Sequence, residues 1–280
     1  MAARTRRSRC AAFEQYVRTT PATSLAWTAG TGPDGPVVAA LLLPGRTGLL
    51  LVPDVAPRGA AGPHVALIAH ALAQPALRQL HYVQALIEPD ATGRAALLSA
   101  AGFRRLTTLD YLHRRVTYPW CDSPRAADLT WSAYSAPARG DFAAAILASY
   151  VDSADCPELT GLRPIDDVLA AHQSSGQFTP ELWQLARLGG APAGCVLLAP
   201  LPGTRLVDLV YMGVAPAFRR RGVGRLLLQR ALELCRARQA AGLTVVVDHR
   251  NTAARRLYEG FALQCMVQRE AYLSVPPRAT

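Results

Sequence analysis

The chain has 280 residues, of which 50% are hydrophobic and 18% are charged, and its formal net charge at pH 7 is +10. This length is enough for one large or two medium domains with a sizeable core, and no apolar run reaches the roughly 20 residues that a membrane span needs. All 30 basic residues are arginine. Because they are scattered without interleaved aromatic residues, they argue against a nucleic-acid-binding platform.

The N-terminal residues and the cysteines say something about compartment and metals. The first ten residues, MAARTRRSRC, are basic, but no apolar stretch follows them, so we expect no secretory signal peptide and a cytoplasmic protein. The six cysteines form no CxxC pair, and neither they nor the six histidines cluster at the spacing of metal ligands. We therefore expect free thiols and no bound metal.

The first half of the chain predicts alternating strands and helices. Strands are expected at residues 36–43 and 47–52, on either side of the hairpin signal Pro44-Gly45-Arg46. The remaining apolar patterns predict a helix at 63–73, a strand at 82–88, a short helix at 94–101 and a long strand or strand pair at 104–116. Residues 118–124 are a linker by composition. The sequence thus predicts a first domain at residues 1–120.

The second half repeats this order with a longer start, which predicts a second domain at residues 128–280. A strand at 129–135 and helices at 141–150 and 165–172 come first. Strands at 182–188 and 195–198 flank a glycine-rich turn at 189–194. The expected elements after them are a central strand at 205–214, a long helix at 223–240, a strand at 244–248, a helix around Tyr258 and a last strand at 263–273. The shared order predicts an α/β chain built from two related halves.

One segment, from Leu209 to Leu228, combines a strand, a glycine-bearing turn and a helix N-terminus. A helix N-terminus offers unpaired N–H groups and the positive end of the dipole, so it suits an anion. Gly222 and Gly224 remove side chains where the backbone must approach a ligand. The spacing Arg219-x-x-Gly222-x-Gly224 is neither GxGxxG nor GxxxxGK[ST], which excludes the dinucleotide and Walker motifs.

This segment resembles the pyrophosphate loop of the GNAT (GCN5-related) superfamily of acyl-CoA-dependent N-acetyltransferases. That loop reads [RQ]-x-x-G-x-[GA] and follows a V-x-P step, here Val214 and Pro216. About thirty residues later a second family motif, N-x-x-A-x-x-L-Y, is matched by Asn251, Ala254, Leu257 and Tyr258, and Asn251 is expected to cap the helix that it opens. The resemblance implies a tandem GNAT fold, with two mixed central sheets flanked by helices and a degenerate N-terminal half. The layout is similar to that of the mycothiol synthase family.

The resemblance also implies a substrate and a reaction. Acetyl-CoA would supply an acetyl group to a primary amine of a small molecule or peptide, by direct attack and without a metal. The positions that match the family's acetyl-CoA site are Met212, Gly213, Val214, Arg219, Arg220, Arg221, Gly222, Val223, Gly224, Arg225, Asn251 and Ala254. In the family a bulge in the central strand frees the N–H groups of the first three positions.

Two residues are the candidates for catalysis. In the family the tyrosine lies beside the CoA sulfur and protonates the leaving thiolate, which gives this role to Tyr258. An alkyl ammonium has a pKa of about 10.4 and must lose a proton before it attacks, so a general base is needed. Asp208 occupies a strand position that is acidic in mycothiol synthase-like chains, and Asp248 is a second candidate for the base.

Two departures from the family pattern carry predictions. The family has three residues between the tyrosine and a Gly-Phe pair, whereas only Glu259 separates Tyr258 from Gly260-Phe261, so the helix is expected to be cut short. In the first half, counting back from Gly102-Phe103 places Leu98 in the tyrosine slot and Ala91 in the asparagine slot. The loop at 58–63 also lacks the phosphate motif. We therefore expect the N-terminal half to be non-catalytic.

The acceptor side is less defined by the sequence. A polar loop at 152–167, DSADCPELTGLRPIDD, either attracts an amine with its acidic residues or is simply solvated. Phe178 and Trp183 either line the site or belong to the core. Two other functions stay open: a non-catalytic acyl-CoA-binding or regulatory GNAT-like protein, and an acetyltransferase that acts on a nucleic-acid-associated substrate. The oligomeric state is also open.

Overall fold

The computed structural model describes residues 24–29, 37–52, 62–117 and 129–276. In the N-terminal half the elements are β1 (Ser24–Ala29), β2 (Val37–Leu43), β3 (Thr47–Leu51), α1 (Gly62–Ala73), α2 (Pro75–Arg78), β4 (Tyr82–Ile87), α3 (Thr92–Ala100) and β5 (Arg104–Arg115). In the C-terminal half they are β6 (Leu129–Ala133), α4 (Arg139–Tyr150), α5 (Ile165–Gln173), β7 (Trp183–Leu188), β8 (Ala191–Pro200), β9 (Leu206–Val214), α6 (Val223–Ala237), β10 (Gly242–Asp248), α7 (Thr252–Gly260) and β11 (Gln264–Ser274).

All of these strands pair into one sheet, in the order β1-β2-β3-β4-β11-β5-β10-β9-β8-β7-β6. The α/β class is confirmed, but the two expected sheets are one continuous sheet. Most neighbouring strands are antiparallel, and the exceptions are the parallel pairs β3–β4 and β9–β10. Each parallel pair is joined through a helix, as a crossover connection requires.

The last strand of each half pairs with the other half. β11, at the C-terminal end of the described chain, lies between β4 and β5 of the N-terminal half. Residues 109–115 of β5 in turn pair with β10 of the C-terminal half. We refer to β5 and β11 as the exchanged strands. Because of them, neither half contains all the strands of its own part of the sheet.

Helices cover the sheet on both faces. Cys195 and Leu197 of β8 pack in a core with α4 and α5, whereas Val196 and Leu198 pack in a core with α6 and α7. Since successive side chains of a strand point to opposite faces, these two helix pairs lie on opposite sides of the sheet. A third core joins α1 and α3 to β2, β3 and β4. None of the helices in the described ranges is long and apolar enough to cross a membrane.

Most expected elements agree with the structure to within two residues, and two boundaries differ by more. The glycine-rich segment before β8 was expected to be a turn through residue 194, but the turn is confined to Gly189 and Gly190, which have φ values of +58° and +80°. Pro192 lies in β8 next to a register shift between Ala186 and Arg187, where a strand tolerates proline. The helix expected to reach residue 240 ends at Ala237. The expected linker at 118–124 lies outside the described residues.

Candidate functional site

The central strands β9 and β10 separate at one end of the sheet. They pair only through Leu206–Leu209 of β9 and Gly242–Val245 of β10. Beyond that point β9 continues to Val214 along β8, and β10 continues to Asp248 along β5. The gap between the two strand ends is a cleft, which we call the central cleft. Because β9 and β10 are parallel, α6 and α7 both begin at the edge of the sheet where the cleft opens.

A bulge marks the place where β9 leaves β10. Leu197 pairs with Tyr211 and Leu198 pairs with Leu209, so Val210 is an extra residue in β9. The N–H of Ala215 donates to Ala193 in β8 at 2.9 Å. Because backbone groups alternate along a strand, the N–H groups of Met212 and Val214 point away from β8, into the central cleft.

Gly213 lies between these two residues, and a side chain at this position would point towards α4. A Cβ on Gly213 would collide with Ser149 of α4 and with the hydroxyl of Tyr211. These two hydroxyls are hydrogen-bonded to each other at 2.5 Å. Gly213 is therefore required by the packing of α4 against β9.

The loop from Val214 to Gly222 leads from β9 into α6. It contains one 3-10 turn, Pro216–Phe218, and two residues with positive φ, Arg220 at +61° and Gly222 at +81°. Gly222 is the N-cap of α6 and makes no side-chain cap, so the first N–H groups of the helix stay open. A Cβ on Gly222 would meet nothing within 4 Å, and Arg220 and Arg221 are exposed. This is an open, positively charged helix N-terminus.

The other positions of this motif pack against the protein. Val223 is buried in the core, and the Arg225 guanidinium lies 4.8 Å from the centre of the Phe261 ring. The Cβ of a residue at Gly224 would lie 3.5 Å from Leu257 of α7. The first turn of α6 therefore touches α7 one residue before Tyr258.

The side chain of Arg219 has a different role from its neighbours. Its guanidinium donates to the carbonyl oxygens of Ser149 at 2.9 Å and Val151 at 2.6 Å, with longer bonds to Val214 and Asp152. These carbonyls lie at the C-terminal end of α4 and the end of β9. A cation there satisfies open carbonyls and offsets the negative end of the helix dipole. The motif arginine thus joins α4 to the loop.

The second motif forms the start of α7. Asn251 is the N-cap, as the sequence predicted, and its Oδ1 accepts a hydrogen bond from the N–H of Ala254 at 3.1 Å. Tyr258 lies one turn after Ala254 and is 5% exposed. In the described part of the chain its hydroxyl has no hydrogen-bond partner. The hydroxyl oxygen is nevertheless not sealed from solvent. Burial, with the charge of Asp155, raises the pKa of Tyr258, so the phenol keeps its proton at neutral pH.

The expected shortening of α7 is wrong. α7 and its counterpart α3 both have nine residues, and their N-caps, Asn251 and Ala91, correspond. The N–H of Leu263 donates to the carbonyl of Tyr258, as that of Phe103 donates to Leu98. Ala262, with φ of +59°, takes the left-handed position that Gly102 takes in the first half. The counterpart of Gly102-Phe103 is therefore Ala262-Leu263, not Gly260-Phe261.

Asp208 lies in the part of β9 that pairs with β10, two residues before the bulge at Val210. Its Oδ1 accepts a hydrogen bond from the hydroxyl of Thr244 in β10 at 2.6 Å. Burial raises the pKa of Asp208, although the Thr244 bond acts in the opposite direction. Val207 and Leu209 belong to the core of α6, so Asp208 points to the face that carries α4 and α5.

Asp248 is the centre of a polar network that the sequence did not reveal. It is fully buried and accepts hydrogen bonds from the Thr107 hydroxyl at 2.6 Å, the Cys156 N–H at 3.0 Å and the Arg250 guanidinium at 2.7 Å. Burial favours the neutral acid, but the bonds from Arg250, Thr107 and the backbone outweigh it and lower the pKa of Asp248 to about 2. Its own N–H donates to Asp155 at 2.9 Å.

This network fixes the polar loop after α4. Arg250 also pairs with Glu158 at 2.6 Å, so the loop is held to the ends of β10 and to Thr107 of β5. The expectation of a merely solvated loop therefore does not describe residues 155–158. Phe178 and Trp183 pack with Tyr134 and Phe142 in the core of α4 and α5. No sequence signal linked Thr107 to this site, because that contact depends on the strand exchange.

Metal sites and disulfides are absent from the described residues. Within them, no group of three or more His, Cys, Asp or Glu side chains is placed to hold a metal ion. The cysteines in these ranges, Cys156, Cys195, Cys235 and Cys265, are free.

Comparisons with known proteins agree with this geometry. Residues 150–262 match the model of the Acetyltransferase (GNAT) family. Mycothiol acetyltransferase of Beutenbergia cavernae is 29% identical over 237 residues, which cover 82% of this chain and 77% of that protein.

Two solved structures show the same fold. A GCN5-related N-acetyltransferase from Sphaerobacter thermophilus superposes with a TM-score of 0.60 at 19% identity, over 90% of this chain and 82% of that one. A tandem GNAT protein from the clavulanic acid biosynthesis pathway gives a TM-score of 0.53 at 16% identity, over 93% and 86%. The matched range includes Val210 at the bulge, Gly222 at the open N-terminus of α6 and Tyr258 of α7. Residues 150–262 therefore match the GNAT acetyltransferase family, within a fold that the chain shares with a tandem GNAT protein.

Proposed function

We propose that this chain transfers an acetyl group from acetyl-CoA to a primary amine by direct attack, with residues 128–280 as the catalytic part. Three features near the end of β9 support the proposal: the N–H groups of Met212 and Val214 after the Val210 bulge, the open N-terminus of α6, and Tyr258 of α7, the helix that the first turn of α6 contacts at Leu257. Each of them meets one requirement of acyl transfer from a thioester.

Acetyl-CoA would bind mainly through the main chain of the α6 loop. The open N–H groups after Gly222 suit the pyrophosphate, and the exposed Arg220 and Arg221 add positive charge. The Arg219 guanidinium is occupied by four carbonyl oxygens, so in this proposal it shapes the loop and does not contact phosphate. The N–H groups of Met212 and Val214 would donate to the thioester oxygen as it gains negative charge.

Tyr258 is the proposed acid. Its raised pKa means that the phenol holds a proton that it can give to the departing thiolate. Asp208 is the proposed base, reached directly or through water. Its pKa is raised towards neutral pH, and a carboxylate with a higher pKa accepts a proton more readily. Asp248 is the weaker candidate, because Arg250 and Thr107 occupy its oxygens and lower its pKa.

We propose that the N-terminal half, residues 1–120, does not catalyse transfer. The corresponding positions in α3 carry Ala91 at the N-cap, where no side chain caps the helix, and the buried Leu98 in place of a tyrosine. Without a phenol at this position, α3 offers no counterpart of the acid proposed for Tyr258. The acceptor is proposed to be a small-molecule or peptide amine, and the similarity to mycothiol acetyltransferase makes a mycothiol-related amine one candidate.

The test is thiol release from acetyl-CoA with a panel of primary amines: amino-acid amides, amino sugars, polyamines and short peptides. Tyr258→Phe should lower kcat by about 10²-fold or more, as expected for loss of a general acid. Asp208→Asn should lower kcat most for the most basic amines, because they are the most completely protonated at neutral pH and depend most on a base. Tyr272→Phe in β11 is the matched control and should not change kcat. If acetyl-CoA binds but no amine releases thiol, the non-catalytic acyl-CoA-binding function is favoured.

A further inference from the structure

The exchanged strand β5 of the N-terminal half contacts the first turns of α7. Asp110 of β5 is 1% exposed, and its carboxylate pairs with the Arg255 guanidinium at 3.0 Å. The same carboxylate accepts from His249, in the turn before α7, at 3.0 Å and from Gln268 of β11 at 2.7 Å. One buried side chain therefore links β5, β11, the end of β10 and α7.

The same strand also contacts the other end of α7. Arg114 of β5 is 2% exposed, and its Nη1 donates to the carbonyl oxygen of Phe261, the C-cap residue of the helix, at 2.5 Å. The two charges have the signs that a helix dipole favours, with the anion near the N-terminal end and the cation at the C-terminal carbonyls. Tyr258 lies between these two points of attachment.

The first half offers an internal comparison, since α3 is built like α7. Asp110 pairs with Val247 in β10, and the corresponding pair in the first half is Glu270 of β11 with Ile87 of β4. Glu270 interacts with Arg105 and Tyr272.

The helix side of the comparison differs as well. The position in α3 that corresponds to Arg255, four residues after the N-cap, is Ala95. The Asp110–Arg255 attachment thus has no counterpart at this position of α3, whose Arg94 pairs instead with Glu88 at 2.8 Å.

We propose that Asp110 and Arg114 are positioning residues for Tyr258, so that the N-terminal half completes the active site through its exchanged strand. The proposal rests on the proposed function of Tyr258 as the acid. Asp110 and Arg114 fix the axis and the register of α7 against the sheet. A displacement of the phenol by about 1 Å is enough to reduce turnover up to 10²-fold.

The first experiment compares Asp110→Asn with Glu270→Gln, the matched change on the other exchanged strand. Both proteins are assayed for thiol release from acetyl-CoA, with the best amine of the panel and with water alone. Asp110→Asn should lower kcat by about tenfold and leave the KM for acetyl-CoA unchanged, because the phosphate loop is not touched. Amide hydrogen exchange should increase in α7 and not in α3. Glu270→Gln should alter neither kcat nor exchange in α7.

The second experiment separates positioning from general loss of structure. In a Tyr258→Phe background, Asp110→Asn should have no further effect on kcat, since the group that it positions is gone. Additive losses, or unchanged exchange in α7, would overturn the proposal. If Tyr258→Phe alone leaves kcat unchanged, the acid role itself is wrong. If only Tyr258→Phe lowers kcat, the acid role stands and the positioning role is wrong.

Discussion

Replacement of Asp248 by asparagine tests the network that holds the polar loop to the central cleft. Asp248 is fully buried, and Arg250, Thr107 and Cys156 donate to its carboxylate. These bonds outweigh burial and lower its pKa from 3.8 to about 2. At 1.36 kcal/mol for each pKa unit, the ionised carboxylate stabilises the folded protein by about 2 kcal/mol at pH 7.

The pH dependence of this effect has a definite direction. Because the folded-state pKa is below the unfolded value, the stabilisation is present above about pH 4 and is lost as the pH falls towards 2. By the same linkage, about half of it should remain at pH 3. Asp248→Asn should therefore lower the free energy of unfolding by about 2 kcal/mol at pH 7 and by clearly less at pH 3. A loss of this size corresponds to a melting temperature about 4–8 °C lower.

The assay is urea unfolding of both proteins at pH 7 and pH 3, followed by tryptophan fluorescence. Asp166→Asn is the control, because its carboxylate is 72% exposed in a surface pair with Arg139, and it should leave the urea midpoint unchanged. An equal loss for Asp248→Asn at both pH values would refute the reasoning, since the effect would then not come from the ionised carboxylate.

Two further predictions concern the α6 loop. Gly222→Trp should abolish acetyl-CoA binding in calorimetry, because the new side chain would enter the open loop. Gly203→Trp is the control and should bind acetyl-CoA normally: its φ of +72° imposes the same strain, about 1–2 kcal/mol, but in a turn far from the cleft. Equal binding by both variants would contradict the assignment of the loop to acetyl-CoA. Arg219→Met should lower the free energy of unfolding by about 2 kcal/mol, because the hydrogen bonds to the carbonyl oxygens are lost. Arg220→Met should leave the free energy of unfolding unchanged and weaken acetyl-CoA binding in a salt-dependent way. The reverse pattern would assign the phosphate contact to Arg219.

The sequence predicted most elements because each half alternates clear strand and helix patterns. It also identified Asn251 as the cap of α7, since a side-chain acceptor is needed there and asparagine supplies it. The turn before β8 was misjudged because Gly194 and Pro192 are usual turn residues. Gly194 belongs in the strand for another reason: a Cβ there would collide with the backbone of Gly213.

Other features depend on contacts that no local pattern records. Gly260-Phe261 was taken as the family's Gly-Phe pair because the residue types match, but Ala262 adopts the left-handed conformation that follows the helix. The exchange of β5 and β11 was not predicted, because alternation shows which face of a strand is buried and not which strand lies beside it. The Thr107–Asp248 and Asp110–Arg255 contacts follow from that exchange. The site residues therefore stay predictions that the proposed variants test.

The position of β11 has a consequence for how the chain reaches its native state. β4 and β5 follow each other in sequence with only α3 between them, yet β11 separates them in the sheet. During synthesis β4 and β5 therefore each keep an unpaired edge until β11 has been made, and such edges invite wrong pairing. The closing contacts span most of the chain, which is typical of slow folding. A truncation before Gln264 would remove an interior strand, and the sheet would separate in its middle.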